Sequence, residues 1–167
     1  MKNARPIILI GVLCLCILIQ GRNIAFGQTL YLAVTDYSKT GCLSYPVSAD
    51  SEFVIEYFHS YSRFPVREIY RVRPDRNIVL TKIVQKASQC SDIIYPNVRL
   101  RKDGWVEIYD INKIIPEVSF ISGSPDLGNH KLEINGQVFR LSDRFEGGSE
   151  IFIRIENIDP CVMNGSN

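Results

Sequence analysis

The chain has 167 residues, a formal net charge of +1 and a hydrophobic fraction of 46%. This length and composition are enough for one domain with its own core. The near-neutral charge argues against general nucleic-acid binding, which depends on a strongly basic surface.

The N-terminal segment has the three-part pattern of a secretory signal peptide. Lys2 and Arg5 give it a positive start, and residues 6–19 are apolar without interruption. The small-x-small triplet Ala25-Phe26-Gly27 then suits signal peptidase. The apolar run is shorter than the roughly 20 residues of a membrane-spanning helix. We predict a signal peptide over residues 1–27, with retention as an uncleaved anchor as the alternative.

The exported remainder is predicted to work outside the cytoplasm, in the periplasm or at the cell surface. Cleavage removes three basic residues and no acidic one, which leaves 16 basic against 18 acidic residues. No later apolar run is long enough to cross a bilayer. We therefore expect no nucleic-acid partner and no membrane span after signal cleavage.

Period-two alternation of apolar and polar residues dominates the rest of the chain and predicts half-buried strands. The predicted strands cover, in order, residues 30–35, 43–47, 52–59, 66–73, 78–84, 105–109, 118–121, 131–134, 137–141 and 150–156. Between the fifth and sixth of them, residues 85–97 are predicted to form an irregular connector. About ten short strands predict an all-β fold, an antiparallel β-sandwich or a partly open barrel, in a single domain.

Turn residues define the connections between these strands. Asn135-Gly136 predicts a tight hairpin, because both central positions of a type I′ turn need a positive φ. Residues 111–115 are expected to form one helical turn that Pro116 ends. The domain is predicted to span residues 28–156, and residues 157–167 to form a flexible C-terminal tail.

Three cysteines remain after cleavage, and exported proteins usually oxidise such residues in pairs. Cys42, Cys90 and Cys161 permit one disulfide and one spare thiol, and the sequence does not choose among the three pairings. Their spacing matches neither a redox motif nor a cysteine-rich zinc site.

The two histidines both fall on apolar strand faces. If residues 60–65 form the loop between two antiparallel strands, His59 lies opposite Val66 and diagonal to Glu68. His130, paired through the Asn135-Gly136 turn, lies opposite Leu141. Two interpretations are open: His59, Glu68 and His130 converge on a metal such as zinc, or each histidine is a structural group, with His59 oriented by Glu68 and His130 bonded to backbone.

No catalytic signature is present in the sequence, so we lean towards a protein that is not an enzyme and expect no cofactor. Ser60 is next to His59 and therefore points to the opposite side of a strand, and there is no GxSxG elbow. Arginines on and near one strand face form either a docking surface for an acidic partner or a small carboxylate, or an ordinary solvent-exposed face. These are Arg63, Arg67, Arg71 and Arg73.

The segment 52–72 resembles the bacterial family called domain of unknown function 1850. In that family a strand ends in His-Ser, and a short loop leads to a hydrophobic residue and an acid two positions later, at the start of a second strand. The matching residues here are His59, Ser60, Val66 and Glu68. The stretch 128–141, which contains His130, is similar to the family's closing part, and the resemblance extends from about residue 31 to residue 155. Many members have a glycine-rich segment after the third strand, where this chain has residues 87–92 without glycine.

The resemblance implies a small exported domain that is an accessory of a TRAP-type transporter of the TAXI class. Such systems combine an extracytoplasmic solute-binding protein with a membrane permease, and either is the implied partner. The family has no established activity, so the recurrent histidine, serine and glutamate positions carry no known role. Our leading hypothesis is a non-enzymatic accessory or binding module. The alternatives are a metal-binding protein or metal-dependent enzyme, and a secreted structural domain.

Overall fold

Alternating side chains along short strands give two β-sheets whose apolar faces pack against each other. The computed structural model describes residues 29–38, 41–86, 97–124 and 126–163. Within them the strands are β1 (Leu30–Asp36), β2 (Cys42–Val47), β3 (Glu52–Phe58), β4 (Pro65–Val72), β5 (Ile78–Lys86), β6 (Val98–Leu100), β7 (Trp105–Ile108), β8 (Lys113–Ile115), β9 (Val118–Ile121), β10 (Lys131–Ile134), β11 (Gln137–Arg140) and β12 (Glu150–Glu156). A 3-10 turn covers Leu141–Asp143 and one helical turn covers Pro160–Met163. The all-β prediction is confirmed.

The strands are arranged in one small and one large sheet. The small sheet has the order β2-β1-β12-β9. The large sheet has the order β11-β10-β3-β4-β5-β7-β6, with β8 added beside β5. Neighbouring strands are antiparallel throughout the described pairings. The two sheets do not close on each other, so of the two predicted architectures the sandwich describes the fold.

The main core lies between the two sheets, where every second residue of the central strands points inward. In the large sheet Phe53 and Ile55 of β3 are almost fully buried, as is Leu132 of β10. In the small sheet Ile151 and Ile153 of β12 are completely buried. Because inward and outward residues alternate, the register of each strand decides which polar side chains also enter the space between the sheets.

The hairpin at Asn135-Gly136 forms as predicted and fixes β10 against β11. Both residues have a positive φ, 51° and 74°. In the pair of β10 and β11, Ile134 is opposite Gln137 directly beside the turn. The Leu141 N–H donates to the His130 carbonyl at 2.9 Å. His130 and Leu141 are therefore opposite each other, as the turn predicts.

The predicted register between β3 and β4 was wrong by two residues. Val66 is opposite Tyr57 rather than His59, and Glu68 is opposite Ile55. The loop closes earlier because Arg63 adopts a left-handed φ of 60° and the His59 N–H donates to the Phe64 carbonyl. A shift of two preserves the face, since side chains alternate with period two. Glu68 still points inward, but its diagonal neighbour is Tyr57.

One local prediction between β7 and β9 was wrong, and one strand before β7 was missed. Residues 113–115 form strand β8 instead of a helical turn, and Ile115 pairs with Ile78 of β5. Ile115 precedes Pro116, and the residue before a proline disfavours the helical conformation. β6 was not predicted, because an alternation of only three residues is too short to identify a strand, and all three are exposed. The Asp103-Gly104 turn, with Gly104 at φ 77°, was the available signal for the hairpin that joins it to β7.

The C-terminal segment is attached to the small sheet by a disulfide. Cys161 is bonded to Cys42 at the start of β2, across 119 residues of sequence. The predicted tail is therefore covalently held at this point, and of the three possible pairings the structure has Cys42–Cys161. Cys90 and most of the predicted connector lie outside the described residues. Among the helices of the described part of the chain, none is long and apolar enough to cross a bilayer.

Candidate functional site

Two adjoining cavities lie between the sheets, where β3, β4 and β10 face β9. The first, here called the histidine cavity, has a volume of about 410 Å³ and is lined by both histidines, Ser122, Gly123 and loop residues. The second, the glutamate cavity, has a volume of about 310 Å³ and is lined by Glu68, Tyr70 and Phe120 among others. Tyr57 and His130 line both cavities. We call the two together the groove.

The pairing of β10 with β3 places His130 beside Tyr57. Lys131 is opposite Glu56 in this pair, so His130 is one step further along, opposite Tyr57 and on the inner face. The imidazole stacks on the Tyr57 ring at 5.3 Å and on the Phe120 ring of β9 at 4.5 Å between centroids. His130 thus joins the two sheets across the groove.

His130 is buried, and its environment fixes its charge and tautomer. Only 9% of the residue is exposed, and this burial lowers the pKa of His130 to about 4. The Gly123 N–H donates to Nδ1 at 3.2 Å. At neutral pH the imidazole is therefore uncharged with its proton on Nε2, and within the described residues Nε2 has no hydrogen-bond partner. This N–H is available to a bound molecule.

Glu68 is held by two tyrosine hydroxyls rather than by a cation. The Tyr57 hydroxyl donates to Oε1 at 3.1 Å and the Tyr70 hydroxyl donates to Oε2 at 2.5 Å. Burial, followed by the charge of Glu68, raises the pKa of Tyr70 far above its ordinary value, so Tyr70 stays protonated and remains a donor. Glu68 is half-buried, and no lysine, arginine or histidine forms an ion pair with it in the described part of the chain.

His59 and Ser60 belong to the loop after β3, at the mouth of the histidine cavity. The Ser62 N–H donates to His59 Nδ1 at 3.4 Å, and the His59 carbonyl accepts from the Arg63 N–H. Ser60 is exposed. His59 and His130 line the same cavity, whereas Glu68 lines the adjoining one. Glu68 is opposite Ile55, four positions from His59, a separation of about 13 Å along a strand.

Part of the bonding capacity of the proposed metal ligands is already used in hydrogen bonds. Nδ1 of each histidine accepts a backbone N–H, and both oxygens of Glu68 accept tyrosine hydroxyls. In the described ranges, no three histidine, cysteine, aspartate or glutamate side chains are grouped so that they could hold a metal ion.

The four arginines of the predicted docking surface all have partners within the chain. Arg67 pairs with Glu133 at 2.6 Å and Arg71 with Glu52 at 3.1 Å. Arg73 pairs with Asp75 at 3.0 Å, and Arg63 donates to the Asp126 carbonyl. Carboxylates therefore balance the charges of Arg67, Arg71 and Arg73 on the outer side of the large sheet. Arg63 instead lies in the loop after β3, where a backbone carbonyl is its partner.

Several groove residues escaped the analysis of the sequence. Tyr70 is two positions from Glu68 on β4, and Tyr57 is on the apolar face of β3. Period-two spacing was therefore a usable signal for both tyrosines. Phe120 and Ser122 come from the other sheet, and no local pattern shows which sheets face each other. Ser122 is 2% exposed and its hydroxyl has no hydrogen-bond partner within the described residues.

The fold and the groove define a class of small antiparallel β-sandwich domains with a site between the sheets. The family model described as Domain of unknown function (DUF1850) matches residues 53–141, and the chain belongs to this family. The match runs from β3 to the end of β11 and contains all the large-sheet residues of the groove. No curated protein and no solved structure matches the chain significantly.

Proposed function

We propose that this protein is an exported, non-enzymatic accessory or binding module of a TRAP transport system of the TAXI class, and that the groove is its binding site. The observation that carries the binding function is the groove itself. Its combined lining supplies a free imidazole N–H, a carboxylate and aromatic rings from both sheets. Preformed apolar pockets with a few placed polar groups are typical of small-molecule sites. The transport context is inferred from the resemblance to the family, whose members are associated with TAXI-type transporters.

An extracytoplasmic location is supported by two independent features. The first 27 residues have the composition of a signal peptide, and Cys42 is bonded to Cys161. Structural disulfides persist mainly in oxidising compartments. In this location the domain meets solutes before the permease does, which is where an accessory of solute capture or assembly is needed.

Exposed apolar side chains at the mouth of the histidine cavity favour contact with a protein partner. Ile121 is 60% and Leu127 is 54% exposed, and both line the cavity. Tyr61, next to Ser60, is 93% exposed. Apolar residues grouped around a binding groove are a common feature of docking surfaces. We propose that the permease or the solute-binding protein contacts this mouth.

Co-purification tests this proposal. The full-length chain is produced with a C-terminal tag together with the permease and the solute-binding protein of a TAXI-type system, and is purified from the membrane and periplasmic fractions. We expect one of the two components to be retained by wild type and by Val138→Glu, which alters an exposed apolar residue on β11. Leu127→Glu should lose it. If wild type retains neither component, the accessory role is wrong.

The competing proposal is a metal site, and the observation in its favour is that His59 and His130 line one cavity. It predicts about one equivalent of metal per chain and a lower melting temperature in chelator, both lost in His59→Ala. Elemental analysis and thermal melting of the exported protein distinguish the two. We expect chelator to leave the melting temperature unchanged, since no three metal-ligating side chains are grouped to hold an ion within the described residues.

A further inference from the structure

We propose that the glutamate cavity binds a small organic ammonium ion, with Glu68 as the anionic partner and the surrounding aromatic rings as its walls. This inference rests on the proposed binding function and names the chemical class of its ligand. It follows from three features of the cavity: a carboxylate without a countercharge, a wall rich in aromatic rings, and the absence of a competing positive charge on the lining residues.

The first feature is the charge balance of Glu68. The carboxylate lies in the space between the sheets and, within the described residues, has no cationic partner. By contrast, outer-face carboxylates such as Glu133 and Glu52 pair with arginines. Even partial removal of a carboxylate from water is costly without a countercharge. The two tyrosine hydroxyls offset only part of this cost, because a carboxylate has about four acceptor sites and they occupy two.

The second feature is the aromatic lining. Tyr57, Tyr70 and Phe120 line the cavity together with the His130 ring. Tyr70 stacks on Phe53 at 5.1 Å, and Tyr57 and Phe120 stack on His130, so packing holds these rings in place. Rings attract a cation through their quadrupole, and cages of such rings are used to bind alkylated ammonium groups.

The third feature is that the lining carries no positive charge at neutral pH. Its residues are Ile55, Tyr57, Glu68, Tyr70, Val118, Ser119, Phe120 and His130, and burial keeps His130 neutral by lowering its pKa to about 4. A cation therefore meets one carboxylate and no repelling group. The volume of about 310 Å³ equals roughly ten water molecules at about 30 Å³ each, enough for a trimethylammonium group.

The adjoining histidine cavity gives the rest of the ligand a place. It shares Tyr57 and His130 with the glutamate cavity, and its lining adds the apolar residues Ile121 and Leu127. A short apolar extension of an ammonium compound suits this lining.

Calorimetry with matched probes on the exported full-length protein tests the inference. Choline and 3,3-dimethyl-1-butanol have nearly the same shape but differ in charge, and ethanolamine separates a primary from a quaternary ammonium. We expect choline to bind at least about tenfold more tightly than the neutral alcohol. Tighter binding of ethanolamine than of choline would assign the site to primary amines. Equal binding of choline and the alcohol, or no binding of either ammonium compound, overturns the inference.

Variants assign the binding to this cavity. Glu68→Gln keeps the size of the side chain and removes its charge, so we expect choline affinity to fall by about tenfold or more. Phe120→Leu should weaken choline more than it weakens the alcohol. Glu133→Gln, on the outer face of β10, should bind like wild type. If Glu68→Gln does not fold, as shown by thermal melting, the response of Phe120→Leu to the two shape-matched probes still tests the inference.

The outcomes separate this inference from the proposed function. If a transport component is retained but no ammonium compound binds, the accessory role stands and the ligand class is wrong. If choline binds in a manner sensitive to Glu68→Gln while neither transport component is retained, the ligand class stands and the accessory role is wrong.

Discussion

At the scale of single residues, His130 shows how surroundings determine chemistry. The same imidazole on a wet strand face would titrate near neutral pH. Here Tyr57 and Phe120 stack on it and the Gly123 N–H occupies Nδ1, so it is a neutral donor with one free N–H. The sequence identified His130 as a candidate, but its role depends on neighbours from β3 and β9.

The lowered pKa of His130 predicts how stability changes with pH. The pKa is about 4 in the folded protein and about 6.5 when unfolded, so between these values the unfolded state binds more protons. The free energy of unfolding should therefore be fully retained above about pH 6.5 and fall towards pH 4, by an amount on the order of 3 kcal/mol. Urea unfolding at pH 7 and pH 4 should show a smaller difference for His130→Gln than for wild type. Equal differences would contradict the assigned burial.

Gly123 predicts a second effect at the residue scale, because the groove loop leaves no room for a side chain there. A Cβ at Gly123 would lie 1.6 Å from the Leu127 carbonyl oxygen, a backbone atom that cannot rotate away. Gly123→Ala should cost about 1–3 kcal/mol of unfolding free energy and reduce ligand binding in the histidine cavity. Gly147→Ala, where the nearest atoms are 3.6 Å away, should be close to wild type. Chemical denaturation of both variants makes the comparison.

At the scale of elements, the central strand β3 shows why alternation is a dependable signal. It pairs with β4 on one side and β10 on the other, and its inner residues fill the core while its outer residues face charged neighbours. Its position in the middle of the large sheet was not deducible, since β3 and β10 are more than 70 residues apart. The strand was predicted, and its second neighbour was not.

Adjacent residues of β3 should therefore respond differently to truncation. Ile55 is 1% exposed, and Ile55→Ala should lower the free energy of unfolding by about 2–5 kcal/mol through lost burial and the cavity left behind. Val54, on the opposite face and only partly buried, should lose about 1 kcal/mol or less in Val54→Ala. Urea unfolding of the two variants compares them directly. Similar losses would mean that β3 has another register.

At the scale of the whole molecule, the disulfide joins the C-terminal segment to the second strand. The bridge closes a span of 119 residues, and cross-linking distant residues restricts the unfolded chain. The family match ends at residue 141, so this closure and strand β12 extend beyond the matched region. β12 pairs with β9, which forms the far wall of the groove. The disulfide attaches the segment after β12 to the same small sheet.

Loss of the disulfide should destabilise the entire domain. Cys42→Ser with Cys161→Ser should reduce the free energy of unfolding by about 2–5 kcal/mol, and so should reduction of the wild-type protein. Cys90→Ser should keep the bridge, since Cys42 is bonded to Cys161. Intact mass with and without reductant establishes the bridge, and thermal melting gives its effect. A double variant as stable as wild type would contradict the structural role.

The sequence by itself determined the all-β class, most strand positions, the Asn135-Gly136 hairpin and the family, because these depend on local spacing and turn chemistry. Only the tertiary structure decided the partner of Cys42, the strand next to β3, and the partner of Glu68. A two-residue change of register left the face of Glu68 intact but placed Tyr57, instead of His59, at the diagonal position, from which its hydroxyl bonds Glu68. Distances across the groove depend on how the two sheets pack, and contacts between distant strands leave no periodic trace in the chain.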